Sequence, residues 1–253
     1  MSVQPGTFFR SGDARAVYQE RFTAASARLQ WLSCGEYELQ AGAAVQEVAW
    51  PGQEALLFAW LGGACVTLAS CSYALAPYDI LYVPRGRAHA ISNPGPESAR
   101  LFVCRAPADS DHPVHHAQFA ALAGQESRLR RLKSKNVYLI FDVGEAADKL
   151  VAGYTFFEAH ARSWPPHNHT DQEEVYIFLK GRGSMEVYES PENLTFVREV
   201  REGDMVTIPF LNYHPVFSQD EPLEFIWCIA GARYWVGDRN KDFVRGTADA
   251  ITT

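Results

Sequence analysis

Trp164-Pro-Pro-His167-Asn-His169-Thr-Asp-Gln-Glu173-Glu174-Val-Tyr176-Ile-Phe-Leu-Lys180-Gly181 places two imidazoles two residues apart, with a carboxylate five residues beyond the second. Gly181 follows seven residues after Glu174 and closes an apolar run. In an extended chain, residues two apart project to one side, so His167 and His169 can aim at a common point. Pro165 and Pro166 stiffen the approach and disfavour helix there. Two imidazoles and a carboxylate suit a borderline divalent cation such as Zn, Mn, Fe or Ni.

A fourth ligand is sought downstream. Gly203-Asp-Met-Val-Thr-Ile-Pro209-Phe-Leu-Asn-Tyr-His214 reads as a turn, a short apolar strand, a second turn and a histidine. Together, His-x-His-x4-Glu-x6-Gly and Gly-x5-Pro-x4-His resemble the two motifs of the cupin superfamily. The resemblance implies a metal held by His167, His169, Glu174 and His214, one divalent ion per chain with Zn foremost. Glu173 competes for the carboxylate position, but the family spacing selects Glu174. Glu174 also shares parity with Tyr176 and Phe178, which are expected to face the barrel interior, with Val175, Ile177 and Leu179 on the opposite face. The chain departs from the family pattern at Leu211, where glycine is common, and at Ser218, where asparagine is common. Neither is a ligand.

The 253 residues allow one large or two ordinary domains, and 47% hydrophobic content marks a globular chain. A net charge of −7 argues against a general nucleic-acid binder. The N-terminal stretch from Met1 to Arg10 lacks the apolar core of a signal peptide, and no run is long enough to cross a membrane. A cytoplasmic protein with no membrane partner is therefore expected. The five cysteines, Cys34, Cys65, Cys71, Cys104 and Cys228, are an odd number without short paired spacing, and read as buried thiols of a reducing compartment.

Residues 1–28 read as a polar N-terminal arm, in which Asp13 to Arg28 suggests a helix or an edge segment. From Leu29 the pattern becomes short apolar runs between turn residues, which suggests a barrel or sandwich. The halves repeat. Asp79-Ile-Leu-Tyr-Val-Pro84 with His89 and Asn93 aligns with Asp204-Met-Val-Thr-Ile-Pro209 with His214 and Ser218, and Phe58-Ala-Trp-Leu-Gly-Gly63 answers Ile177-Phe-Leu-Lys-Gly-Arg-Gly183. An offset of about 120–125 residues points to an all-β duplicated cupin. Its parts are expected at 29–120 for the first barrel, 121–135 for a linker, 136–237 for the second barrel and 238–253 for a tail. The first copy has Ala44-Val-Gln-Glu-Val-Ala-Trp-Pro51 in place of His-x-His, and His89 alone cannot hold a cation. Within the linker, Arg128-Leu-Arg-Arg-Leu-Lys133 reads either as an anion site or as a solvated face. His112, His115 and His116 lack a carboxylate at matched spacing.

Further stretches narrow the resemblance: Ala106-Pro-Ala, Pro113, Pro165-Pro-His-Asn-His169, Tyr213-His-Pro-Val216, Phe225-Ile-Trp-Cys-Ile-Ala-Gly231 and Ala230-Gly-Ala-Arg-Tyr-Trp235. Across about residues 30–240 they are similar to the 5-deoxy-glucuronate isomerases of inositol catabolism and the 5-keto-4-deoxyuronate isomerases of pectin breakdown, the IolB/KduI-like bicupins. The insert of the first branch between ligand histidine and glutamate is absent here. The resemblance implies aldose–ketose isomerisation of a small acidic sugar, with 5-deoxy-glucuronate first and the 5-keto-4-deoxyuronate second, by a homo-oligomer. Candidates for the proton-transfer base are Glu174, Glu158, His160 and Tyr176. Candidates for the substrate contacts are Arg182, Lys180, Arg233 and Tyr213. The competing readings are a metal-dependent cupin dioxygenase and a non-catalytic sugar-binding bicupin.

Overall fold

Short apolar runs broken by glycine, proline and aspartate turns give this chain strands rather than helices. In the computed structural model, which describes residues 15–163 and 166–234, the strands form two compact units. The expected arm up to residue 14 and the 238–253 tail lie outside the described residues.

The first unit contains β1 (Ala16–Phe22), β2 (Ser33–Leu39), β3 (Ala44–Val48), β4 (Gln53–Leu61), β5 (Ala64–Leu68), β6 (Cys71–Leu75), β7 (Ile80–Val83), β8 (His89–Ser92), β9 (Ala99–Pro107) and β10 (His115–Ala117). One sheet runs β1-β2-β9-β4-β7-β10 and a second runs β3-β8-β5-β6. Between them lies an apolar core that includes Tyr37, Leu57, Val66, Leu81, Ile91 and Val103.

The second unit contains β11 (Leu129–Leu132), β12 (Lys135–Phe141), β13 (Leu150–Phe157), β14 (Gln172–Lys180), β15 (Arg182–Ser190), β16 (Asn193–Arg201), β17 (Met205–Ile208), β18 (Val216–Ser218) and β19 (Leu223–Gly231). Its sheets run β11-β12-β13-β19-β14-β17 and β16-β15-β18. The order β12-β13-β19-β14-β17 repeats β1-β2-β9-β4-β7 strand for strand, so the duplication read in the sequence is a duplication of topology. The fold is a double cupin barrel. Its second core gathers Tyr176, Phe178, Met185, Ile208, Val216 and Phe225. The parity expected for β14 holds for Tyr176 and Phe178. Val175, Ile177 and Leu179 are buried as well, so this strand is covered on both faces.

Two local readings are resolved and one is corrected. Of the helix and the edge segment read at Asp13 to Arg28, the edge holds for Ala16–Phe22: it is the edge strand of its sheet, Tyr18 pairs with Tyr37 across the β1–β2 ladder, and a side-chain period of two suits a sheet edge. The basic run at 128–133 is a strand and turn, with Arg131 and Lys133 exposed and Arg130 half-buried. Leu129–Leu132 pairs with β12 across the two-residue turn Lys133-Ser134, in which Ser134 takes φ +57°. Of the five free cysteines, Cys34, Cys104 and Cys228 are buried, Cys65 is half-buried and Cys71 is exposed.

The compact units also include segments that linear boundaries miss. Residues 27–32 belong to the second unit and 145–150 to the first. Two buried carboxylates at matching strand positions hold them. Glu173 accepts the backbone N–H groups of Gln30, Trp31 and Leu32 at 2.5–2.7 Å. Glu54 accepts those of Asp148, Lys149 and Leu150 at 2.7–3.0 Å, together with the Tyr82 hydroxyl at 2.8 Å. A carboxylate with several N–H donors tolerates burial that an isolated charge would not.

Candidate metal centre and its cavity

His167 and His169 lie on the irregular segment that leads into β14, and His214 lies on the turn between β17 and β18. Two contacts join these segments: Leu211 N–H donates to His169 O at 2.6 Å, and the Asn168 amide donates to Leu211 O at 3.0 Å. Leu211 makes this junction at φ +64°, in the left-handed region that favours glycine. That is the physical sense of the family's glycine at this position. The other departure, Ser218, is buried and functional as a tie: its hydroxyl accepts Ala161 N–H at 2.8 Å and donates to Glu158 O at 2.5 Å.

The ligand atoms of His167, His169 and His214 all lie within 4.8 Å of one another. The carboxylate of Glu174, from the middle of β14, approaches the same point, with Oε2 3.0 Å from His169 Nε2 and 3.2 Å from His214 Nε2. His214 Nδ1 lies 2.9 Å from Asn212 O. A carbonyl only accepts, so Nδ1 carries the hydrogen and Nε2 presents its lone pair to the cluster. That Nε2 is buried and has no aligned hydrogen-bond partner.

Electrostatics keep the donors in ligand form. Burial pushes His167 well below its ordinary value, and the charges of His214, His169 and Lys135 add to this. Burial also lowers His169, with Glu174 opposing. For Glu174, burial acts upward, but its hydrogen bond with His169 and the proximity of His214 outweigh it and hold the carboxyl below its usual range. Neutral imidazoles beside an ionised carboxylate are what a divalent cation binds. The donor set therefore fits a divalent metal.

Glu173, the alternative carboxylate, points away from this cluster and is occupied by the 27–32 segment. Strand parity, which the sequence reading used beside the family spacing, separates the two, since adjacent residues face opposite sides of a sheet.

A cavity of about 210 Å³ opens beside the cluster, smaller than the roughly 300–1,000 Å³ of drug-sized pockets and suited to a single small molecule. His167, Glu174 and Tyr176 line it, among apolar walls from Val137, Leu139, Phe157, Phe225 and Trp227. Burial, and then the nearby Glu174 charge, push the Tyr176 hydroxyl well up, so it is a proton donor at neutral pH. The strands set these positions by alternation: Lys135, Val137 and Leu139 on β12, and Glu174 and Tyr176 on β14. Gly153 on β13 leaves room for Trp227, whose ring and the Tyr138 carbonyl occupy the place of any Cβ.

The other sequence candidates fall elsewhere. Glu158 is exposed. The side chain of His160 is 74% exposed and lies 3.9 Å from Asp220. Lys180 and Arg182 are exposed by 73% and 76% and face Glu224 and Glu221. Arg233 donates to Asp142 O at 2.6 Å, and Tyr213 is buried in a backbone bridge to Tyr188. None of the six lines the cavity. Its cations are Arg130, from the basic run, and Lys135. Lys135 was missed because only the β11–β12 hairpin turns it inward. In the first unit, His89 is buried against Trp50, with ring centroids 5.0 Å apart, and among the described residues it belongs to no cluster of three potential metal ligands. His112 pairs with Asp148 at 2.7 Å and His116 with Asp79 at 3.1 Å.

Two barrels of one topology, the second with a histidine cluster and a carboxylate beside a small cavity, define a bicupin with, among the described residues, one candidate metal centre. The chain belongs to the KduI/IolB family, whose pattern it matches over residues 6–244. It is 27% identical over 173 residues to the 4-deoxy-L-threo-5-hexosulose-uronate ketol-isomerase of Opitutus terrae, a match covering 66% of this chain and 62% of that protein. The protein of the same name from Shouchella clausii is 24% identical over 188 residues, covering 70% and 67%. Among solved structures, an IolB-like protein of Salmonella typhimurium superposes with a TM-score of 0.71 at 21% identity, covering 91% of this chain and 94% of that one. A variant of Bacillus subtilis oxalate decarboxylase gives 0.74 at 16%, covering 98% and 85%. At these identities the structural likeness concerns the fold alone. Among the described residues, no helix is long and apolar enough to cross a membrane.

Proposed function

We propose that the protein is a metal-dependent ketol-isomerase of a small acidic sugar. The 4-deoxy-5-keto-uronate in the relatives' name ranks first and 5-deoxy-glucuronate second, which reverses the order expected from sequence. The observation that carries the reading is the cavity, where a carboxylate, an imidazole and a phenol line a largely apolar chamber together with the half-buried Lys135. A divalent ion on His167, His169, Glu174 and His214, Zn foremost and Mn, Fe or Ni as the others, would supply Lewis-acid polarisation of a substrate carbonyl.

Isomerisation removes the proton from the hydroxyl-bearing carbon beside the carbonyl and returns one to the former carbonyl carbon. One O–H proton moves between the two oxygens, so no electrons enter or leave. Of the four candidate bases, Glu174 and Tyr176 line the cavity and are retained, while Glu158 and His160 are withdrawn. The ionised Glu174 can accept a proton, and the protonated Tyr176 can donate a hydrogen bond to an oxygen that gains charge. The apolar walls exclude water and strengthen both interactions.

The test is an NMR assay of the fully metallated protein with both acids in deuterated water. We expect aldose–ketose interconversion, with deuterium entering at the carbon next to the carbonyl, and no turnover after metal is stripped. No conversion of either acid would remove both substrates, and oxygen uptake with a uronate would move the case to a dioxygenase. The assembly we propose is a homo-oligomer, on family likeness. Light scattering of a particle no larger than the 28.3 kDa chain would refute it.

A further inference from the structure

Lys135 opens β12, directly after the Lys133-Ser134 turn, and faces the cavity with Val137 and Leu139. Its ammonium donates to Ser163 Oγ at 3.0 Å and lies 5.5 Å from the centroid of the Phe157 ring. Among the described residues, no carboxylate lies within ion-pairing distance of it. An ammonium has three N–H donors and no acceptor, so one is used and two remain for the cavity. Ser163 accepts from Lys135 and keeps its own hydroxyl hydrogen to donate.

A cation held among apolar walls without a counter-charge is costly. Burial lowers the pKa of Lys135, and its charge reaches His167 in the candidate metal centre. Arg130 adds a second cation to the same cavity from the adjacent strand. Among the described residues, the carboxylate that lines this cavity, Glu174, is engaged by His169 and not by Lys135 or Ser163.

We propose that Lys135, supported by the Ser163 hydroxyl, binds the carboxylate of the ligand in this cavity and so selects an acidic sugar over a neutral one. This deepens the reading of a sugar-acid isomerase and rests on it. The pair accounts for acid specificity without Lys180, Arg182 or Arg233, which do not line the cavity. A charge-assisted hydrogen bond contributes enough to change affinity by about tenfold to a hundredfold.

The experiment is calorimetric titration of the full-length metallated protein with glucuronate and with glucose, for wild type, Lys135→Met and Lys135→Arg. We expect wild type to prefer glucuronate by about tenfold or more, Lys135→Met to lose that preference while keeping its metal content, and Lys135→Arg to retain most of it. Thermal melting checks that each variant is folded. Lys135→Met removes a half-buried charge and is expected to melt no lower than wild type. A folded Lys135→Met that still prefers glucuronate overturns the assignment, as does a wild type that binds both sugars equally. If the preference and its loss are seen but no uronate is isomerised, the proposed reaction fails and Lys135 keeps its role as the carboxylate-binding group.

Discussion

His169 lies closer to Glu174 than His214 does. Its Nε2 is 3.0 Å from Glu174 Oε2, and its ring centroid is 5.0 Å from that of His214 and 5.1 Å from that of His167. Removing one imidazole leaves two imidazoles and a carboxylate, and a cation held by three groups is bound far less well than one held by four. His169→Ala is therefore expected to lose stoichiometric metal, as measured by elemental analysis after dialysis. Its folding should change little, because the core beneath the site is apolar. Full metal retention by this variant, or metal bound at His89, would remove the assignment.

At the scale of the strand, β14 presents two adjacent glutamates with opposite duties. Glu174 turns to the cavity, while Glu173 turns to the 27–32 segment and satisfies three backbone N–H groups. Glu173→Gln replaces an acceptor oxygen by an amide that cannot accept all three donors. The expected cost is about 2–4 kcal/mol of stability, read as a shift in denaturant midpoint, with metal per folded chain unchanged. A variant that keeps full stability but loses its metal would return Glu173 to the ligand role. The β11–β12 hairpin has its own duty. Its two-residue turn takes up Lys133 and Ser134, so Lys135, the first residue of β12, begins the cavity-facing row.

Across the whole molecule, buried neutral histidines make the fold sensitive to acid. Burial lowers His89 in the first unit, with its hydrogen bond to Arg87 O opposing, and lowers His167 and His169 in the second. As pH falls below about 6.5, an unfolded chain takes up protons at these positions while the native one does not, so stability falls. Glu174 adds to the loss at lower pH, because its native carboxyl stays ionised below its ordinary value. Melting of the metal-stripped protein is expected to move to lower temperature from about pH 6.5 downward, and His89→Gln is expected to flatten part of that slope. A melting temperature constant between pH 7 and pH 5 would contradict this.

Much of this protein is written in local pattern. The two motif spacings and the 120–125-residue repeat identify a duplicated barrel, because turn residues and strand lengths recur wherever the same sheet is built twice. His167 and His169 are legible because side chains two apart on an extended segment share a side, and His214 is legible from the spacing of the second motif. Parity on β14 also places Glu174 and Tyr176 on the inner face. Other features needed the tertiary structure because they join residues far apart in sequence. Glu173 is structural only because residues 27–32 lie against it. Lys135 faces the cavity only because a hairpin sets its strand in register with β13. Glu158, His160, Lys180 and Arg182 are near the motifs in sequence yet lie outside the cavity, because nearness along a strand does not fix which side chains share an enclosed space. Pattern along the chain determined the barrels and the histidines, while long-range strand pairing decided which charges share the cavity with them.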